Sequence, residues 1–170
     1  GGLGGLAGLA NLPLWAAESS RLPTEKLSGR ITLITAAPGN VVALSASDGI
    51  VLVDSGSQAL ASAVQASLGG ARVQTLFNTH YHADHIYGLQ AFKAAGARII
   101  AHRAAREYLQ SDTARLRLEA SRQELAPWVD AQTRLLDADD WLEADKTLTV
   151  GGVPMQIRHV GPSHTPEDLV

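Results

Sequence analysis

The sequence has no cysteine. That absence excludes disulfides, iron–sulfur clusters, thiolate metal sites and cysteine nucleophiles. Any metal ligand must then be His, Asp or Glu. A large excess of either charge is also missing: fourteen basic residues stand against seventeen acidic ones, a formal net charge of −3. Nothing in that balance points to nucleic acid, and charge names no partner. Beyond residue 20 there is no internal repeat and no low-complexity segment. What is present is the composition of a packed domain, with 45% hydrophobic and 18% charged residues, which argues against disorder. A length of 170 residues suits one domain at most, or part of one.

Residues 1–17 carry no charge. The stretch is too short and too rich in glycine for a membrane-spanning helix. It reads as the apolar core of an export signal without its positively charged start, closer to a twin-arginine signal than to an ordinary one. The competing reading is a flexible tail. An export signal places the mature protein in the periplasm or outside the cell, free of the membrane; a tail leaves it cytoplasmic. The chain begins with Gly1 and ends on Asp168-Leu169-Val170, which reads as the start of a strand. The expected organisation is a signal remnant or tail over 1–20 and a partial domain over 21–170.

Residues 30–54 read as a three-strand meander. Arg30 to Thr35 alternates, Pro38-Gly39-Asn40 interrupts, Val41 to Ala46 follows, and Asp48-Gly49 turns the chain into Ile50-Val51-Leu52-Val53. That last run is apolar on both faces, as in a buried strand. Residues 57–68 have helical spacing at Leu60, Val64 and Leu68, and Gly69-Gly70 stops them. Residues 73–77 form another buried strand, 89–95 a helix, and 98–101 a short strand. Residues 103–126 read as one or two helices closed by Pro127, with His102 opening them. The acidic residues 130–146 read as mostly loop. Residues 147–150 and 155–160 form a hairpin across Gly151-Gly152. Strands alternating with helices after a β-only start indicate a sheet covered by helices, an α/β or α+β domain.

Between the second buried strand and the next helix lies Thr79-His80-Tyr81-His82-Ala83-Asp84-His85. Three of the six histidines fall within six positions. Imidazole and carboxylate suit zinc, iron or manganese. His80 and His82 are two apart, so in an extended segment they point the same way and can clamp one ion. Asp84 and His85 lie past a turn and can face a second ion. Two ions about 3.5–4 Å apart can hold both the attacking and the leaving oxygen of a hydrolysis.

His80-Tyr81-His82-Ala83-Asp84-His85 resembles the signature of the metallo-β-lactamase superfamily. Two more stretches agree in kind and order: Val53-Asp54-Ser55-Gly56 upstream and Gly161-Pro162-Ser163-His164-Thr165-Pro166 downstream. The resemblance covers about residues 30–170. It implies a four-layer αββα sandwich, of which this chain carries the first sheet and the start of the second. It implies that His80, His82 and His164 hold the first metal, that Asp84 and His85 hold part of the second, and that Asp54 orients a ligand histidine by a hydrogen bond. It implies two zinc ions, with iron or manganese as alternatives. The activity implied is hydrolysis of a small ester, lactam, lactone or thioester by hydroxide formed at the metal, with Asp84 as the catalytic carboxylate. An iron-dependent oxidoreductase, such as a sulfur dioxygenase or oxygen reductase, or a non-catalytic metal-binding domain are the alternatives.

Two departures stand out. Glu167 occupies a place where the family often has glycine. The bridging carboxylate and last histidine that the family carries further downstream have no counterpart, and Asp168 is too close to His164 to be that bridge. His102 and His159 fall in no motif and are expected to be core or surface residues. Tyr81 and Tyr87, like Trp128 and Trp141, are expected to pack. The tight Pro38-Gly39-Asn40 turn, where lactam enzymes of the family often carry a longer flap, lowers the expectation of a dedicated lactam enzyme. The helical residues 103–126 are expected to shape the pocket.

Overall fold

The β-branched, alternating residues early in the chain pair as the pattern predicts. In the computed structural model, which describes residues 21–36 and 38–170, β2 (Ile31–Ile34), β3 (Val41–Ala46) and β4 (Gly49–Val53) run antiparallel. The export-signal reading of residues 1–20 lies outside the described residues. A short strand not anticipated from the sequence, β1 (Thr24–Lys26), adds to the edge of β2. Asp48 and Gly49 turn β3 into β4, with Ala46 paired to Gly49.

After β4, each further strand of the large sheet is reached through helix and pairs in parallel. A short 3₁₀ turn leads into α1 (Ala61–Ser67), then β5 (Val73–Phe77) lies parallel to β4. Next come α2 (Ala83–Ile86) and α3 (Leu89–Ala94), and then β6 (Arg98–His102), parallel to β5. The 103–126 region divides into α4 (Ala104–Leu109) and α5 (Asp112–Glu124). The break falls at Ser111, whose Oγ accepts the Ala114 N–H at 3.1 Å and caps α5. The result is one seven-stranded sheet in the order β1 to β7, with β7 at Asp140–Leu142. β8 (Lys146–Val150) and β9 (Val153–Ile157) form a separate two-stranded sheet.

One expectation from the sequence needs correction and another a refinement. The acidic stretch is mostly loop, as expected, and the short β7 forms within it. Three residues are too few to show an alternating pattern, and β7 is held by pairing with β6 and by the Arg98–Asp140 ion pair rather than by propensity. His102 does not open a helix; it ends β6.

Neighbouring residues on a strand face opposite sides, so each buried strand feeds two cores. Leu52, Leu76 and Ile99 are fully buried against the helices, with Val64, Leu89 and Phe92. Val51, Phe77 and Ile100 face the other way and pack with Ile157 and Leu169 beneath the small sheet. Helices, large sheet and small sheet are thus three layers of the expected four among the described residues. Trp141 packs against the larger core, as expected of it. No helix among the described residues is long and apolar enough to cross a membrane.

Candidate metal centre

Parallel strands ending side by side place their C-terminal loops along one rim, the usual ligand position in open α/β sheets. Here Asp54 follows β4 and Asn78 follows β5, and the backbone continues the pairing one step past both strands. The Asp54 N–H donates to Phe77 O at 2.8 Å and the Asn78 N–H to Ile100 O at 2.9 Å. Asp54 sits at φ +64°, and among the described non-glycine residues it alone takes a positive φ. Asp tolerates this left-handed conformation better than most residues. Its carboxylate is thereby turned back over the loop that follows β5.

That buried carboxylate is a hub. It accepts the Thr79 N–H (2.8 Å), the Thr79 hydroxyl (2.8 Å) and the Asn78 amide (3.3 Å). It also accepts His85 Nδ1–H at 2.7 Å, the orienting bond expected of Asp54. Thr79 extends the hub by one residue. Its only proton goes to Asp54, so at 2.9 Å from His80 Nδ1 the hydroxyl oxygen accepts. Both histidines thereby carry a proton on Nδ1, which leaves the lone pair of neutral His80 on Nε2. Thr79 was not singled out in the sequence; its adjacency to His80 was the only signal.

The loop between Asn78 and α2 brings His80 and His82 together, and the loop after β9 adds His164. One ring nitrogen from each of His80, His82 and His164 lies within 4.8 Å of the other two. His82 Nδ1 is 3.1 Å from His80 Nε2 and 2.9 Å from His164 Nε2. Three nitrogens converging this closely, with His80 buried, His82 half-buried and His164 exposed, fit the donor set of a divalent ion. Asp84 and His85 stand beside the trio: His85 Nε2 is 3.2 Å from Asp84 Oδ2, and the His80 and His85 rings lie 4.1 Å apart. The five residues named as ligands from the sequence are therefore brought together, three as a tight cluster and two as an adjacent pair.

The electrostatics favour lone pairs over charge at the trio. Burial, reinforced by the neighbouring His85, lowers the His80 pKa to about 4 against the pull of Asp54. Burial and His164 likewise lower His82. His85 differs: burial opposes its charge, but the Asp54 bond and the Asp54 and Asp84 charges prevail and raise it.

Backbone contacts fix the loops against each other. Gly88 lies so close to the Asp54-Ser55-Gly56 turn that a Cβ there would come within 2.5 Å of Ser55 O. The Ser55 hydroxyl donates to His85 O at 2.7 Å. At Gly39 (φ +87°) the tight turn between β2 and β3 comes within 2.6 Å of the Asp84 carbonyl, measured from where a Cβ would stand. Asp168 holds the His164 loop: it accepts the His164 N–H (2.6 Å), the Thr165 N–H (2.9 Å) and the Thr165 hydroxyl (2.6 Å). Glu167, the departure noted above, is buried and accepts the Tyr81 N–H at 2.8 Å, which ties the His164 loop to the His80–His82 segment. Its Oε2 meets no partner among the described residues, and burial pushes its carboxyl above the usual range. His102 and His159, which fall outside the motif, stack on each other at 3.7 Å.

A mixed sheet with a histidine cluster at the ends of its parallel strands defines an α/β domain with a candidate metal site. The Metallo-beta-lactamase superfamily model matches residues 34–170, and the chain belongs to that superfamily. Among curated proteins none matches. Solved structures agree in fold. A Cronobacter sakazakii metallo-β-lactamase described by its HARLDQ motif is 20% identical, with a TM-score of 0.67 over 92% of this chain and 60% of that one. The FEZ-1 metallo-β-lactamase from Legionella gormanii is 16% identical, with a TM-score of 0.68 over 89% and 57%. BJP-1, a subclass B3 metallo-β-lactamase of Bradyrhizobium japonicum, is 16% identical, with 0.66 over 91% and 58%. The chain thus spans less than two thirds of the length of these structures.

Proposed function

We propose that this chain is the metal-binding part of a zinc-dependent hydrolase with two ions, acting on a small ester, lactam, lactone or thioester. The observation that carries the reading is the convergence of His80, His82 and His164 on one point, with the Asp84–His85 pair beside it. His80, His82 and His164 would hold the first ion; Asp84 and His85 would contribute to the second. When bound, zinc supplies Lewis acidity, which polarises a carbonyl and makes water acidic near neutral pH. Asp54 and Thr79 hold the His85 and His80 rings with Nε2 facing the pocket. Asp84 faces His85 through Oδ2 and leaves Oδ1 to hold the proton of the attacking water and return it to the leaving group. The buried floor around His80 excludes solvent from that side.

The matched lactamases support hydrolysis as the reaction class, and the tight turn at Gly39 weighs against a dedicated lactam substrate. The uncharged residues 1–17 support export, hence a periplasmic or secreted protein. The test is metal content and hydrolysis by the full-length protein, with a panel of the four substrate classes. About two zinc ions per chain and turnover lost in His82→Ala are expected; a full-length protein that holds no metal, or keeps its activity as His82→Ala, refutes the reading. The donor set, all imidazole and carboxylate, also suits iron. An iron-dependent oxidoreductase is therefore the second reading, separated by elemental analysis of protein purified without added metal.

A further inference from the structure

A cavity of about 260 Å³ opens beside the histidine cluster and shares His82 and Asp84 with it. Tyr81, His82, Asp84, Tyr87, Tyr108 and Leu125 line it. Its residues come from three separate places: the loop around α2, the end of α4 and the end of α5. The Tyr81 and Tyr108 rings stack at 3.9 Å and 21°. Tyr81 is the residue between two of the proposed ligands, so the stack fixes the cavity wall directly onto the metal loop. Tyr87 is only 2% exposed and packs into the larger core.

We propose that this cavity is a recognition site for a single aromatic ring on the acyl side of the substrate. The inference rests on the hydrolase reading for the position of the reacting bond, but not for the cavity's own affinity. Size decides between ring systems: roughly 150 Å³ of apolar cavity suffices for benzene, so 260 Å³ takes one ring and its linking atoms. Chemistry decides the class: tyrosine rings favour offset or edge contacts with a further aromatic ring beyond simple area burial. Charge decides the substituent. Arg117 reaches the cavity's rim, but its guanidinium is paired with Glu124 at 3.1 Å and both side chains are more than half exposed. No unpaired cation among the described lining residues faces the cavity, so the ring is neutral. The acidic end, at Asp84, is where the reacting bond must lie, and the ring points away from it.

Two matched ligand pairs test this on the full-length, zinc-loaded protein. One pair is the ethyl thioesters of phenylacetic and acetic acid, read as kcat/KM. The other is phenylacetate and acetate, read as binding by calorimetry with no turnover required. The phenylacetyl member is expected to be preferred about tenfold in each pair, the scale of one well-placed aromatic contact. Leu125→Trp, which fills the cavity, and Tyr108→Leu, which removes half of the stack, are each expected to abolish the preference, and either variant alone suffices if the other fails to fold. Hydrolysis of both thioesters with no preference, or a preference that survives a folded variant, overturns the aromatic site and leaves the hydrolase reading standing. Absence of turnover together with phenylacetate binding that Leu125→Trp abolishes upholds the site and counts against the reaction. Absence of both turnover and binding overturns the site as well.

Discussion

Asp54→Asn separates charge from backbone at the hub of the site. Asn is the residue that best matches Asp54 in size and in tolerance of its φ of +64°, so the backbone is little perturbed. The acceptor set is not preserved. Asp54 is 5% exposed and accepts from His85, from Thr79 twice and from Asn78. An amide offers one acceptor oxygen in place of two and brings N–H groups toward donors. If its oxygen stays with the Thr79 N–H, the amide nitrogen faces His85 Nδ1–H, and the imidazole must move its proton to Nε2. That closes the lone pair that would bind metal. A hydrogen bond to a charged group is worth about 1.5–3 kcal/mol. A loss of about 2 kcal/mol corresponds to roughly 30-fold in affinity, within the ten- to hundredfold range for residues that orient metal ligands. The loss falls mainly on the ion beside His85 and less on the trio, which Asp54 reaches indirectly through Thr79 and Asn78. Competition with a chromophoric chelator at pH 7.5 measures both steps. Asp54→Ala is a control that adds a left-handed backbone cost of about 1–2 kcal/mol to folding, readable in urea unfolding. Wild-type affinity at both steps in Asp54→Asn, or an Asp54→Ala no less stable than Asp54→Asn, refutes the reasoning.

Gly88→Ala drives a methyl group to 2.5 Å from Ser55 O; a loss of about 1–3 kcal/mol is expected, measured as a drop in urea midpoint, with zinc affinity falling in parallel. Glu167→Gln keeps an acceptor for the Tyr81 N–H, whereas Glu167→Ala orphans a buried donor at a cost of about 1–3 kcal/mol; chelator competition is expected to show near-normal zinc binding for the first and weaker binding for the second. Asp139 bears on acid stability. Burial opposes its ionisation, but the Ile99 N–H and the Lys93 ammonium, each at 2.8 Å, outweigh it and hold its pKa below the usual carboxylate value. Its stabilisation is therefore present above the unfolded pKa and lost as pH falls through the folded one. Asp139→Asn is expected to be less stable at pH 7 by under about 1 kcal/mol, since the pair is partly exposed, and to match the parent near pH 2, as compared by denaturant unfolding at both pH values.

The chemistry was more legible than the scaffold that holds it. His80, His82, Asp84 and His85 are close in sequence, so their spacing alone brings them together, and the turn after Thr79 needs only local conformation. Asp54 and His164 lie far from that segment, and only resemblance to a family joined them to it. Thr79 escaped notice because a threonine beside a histidine has no distinctive pattern; its role exists only where Asp54 Oδ2 sits 2.8 Å from the hydroxyl. Glu167 was visible as a departure but not as a contact, because its partner is a backbone N–H 86 residues away. The strands β2 to β6 carry apolar periodicity strong enough to read. β1 and β7 are three-residue strands whose pairing is a tertiary event, with β1 exposed throughout.

The burial order of the three clustered histidines implies an order of assembly. His80 is 8% exposed and its Nδ1 faces a threonine that the sheet itself fixes through Asp54. His82 follows at the entrance to α2, half-buried. His164 is exposed, on a loop whose position depends on Asp168 capping its own turn and on Glu167 reaching the Tyr81 amide. The first two imidazoles are therefore set by the sheet's parallel strand ends, and the third by two carboxylates on the same short loop that carries it. Disturbing Asp54 must weaken the centre from its floor, while disturbing Glu167 or Asp168 must release one ligand and leave the other two in place. A metal held by two imidazoles rather than three dissociates faster, so variants of the loop carboxylates should shorten metal residence at the trio and leave the His85 position comparatively unaffected, the reverse of the Asp54 pattern.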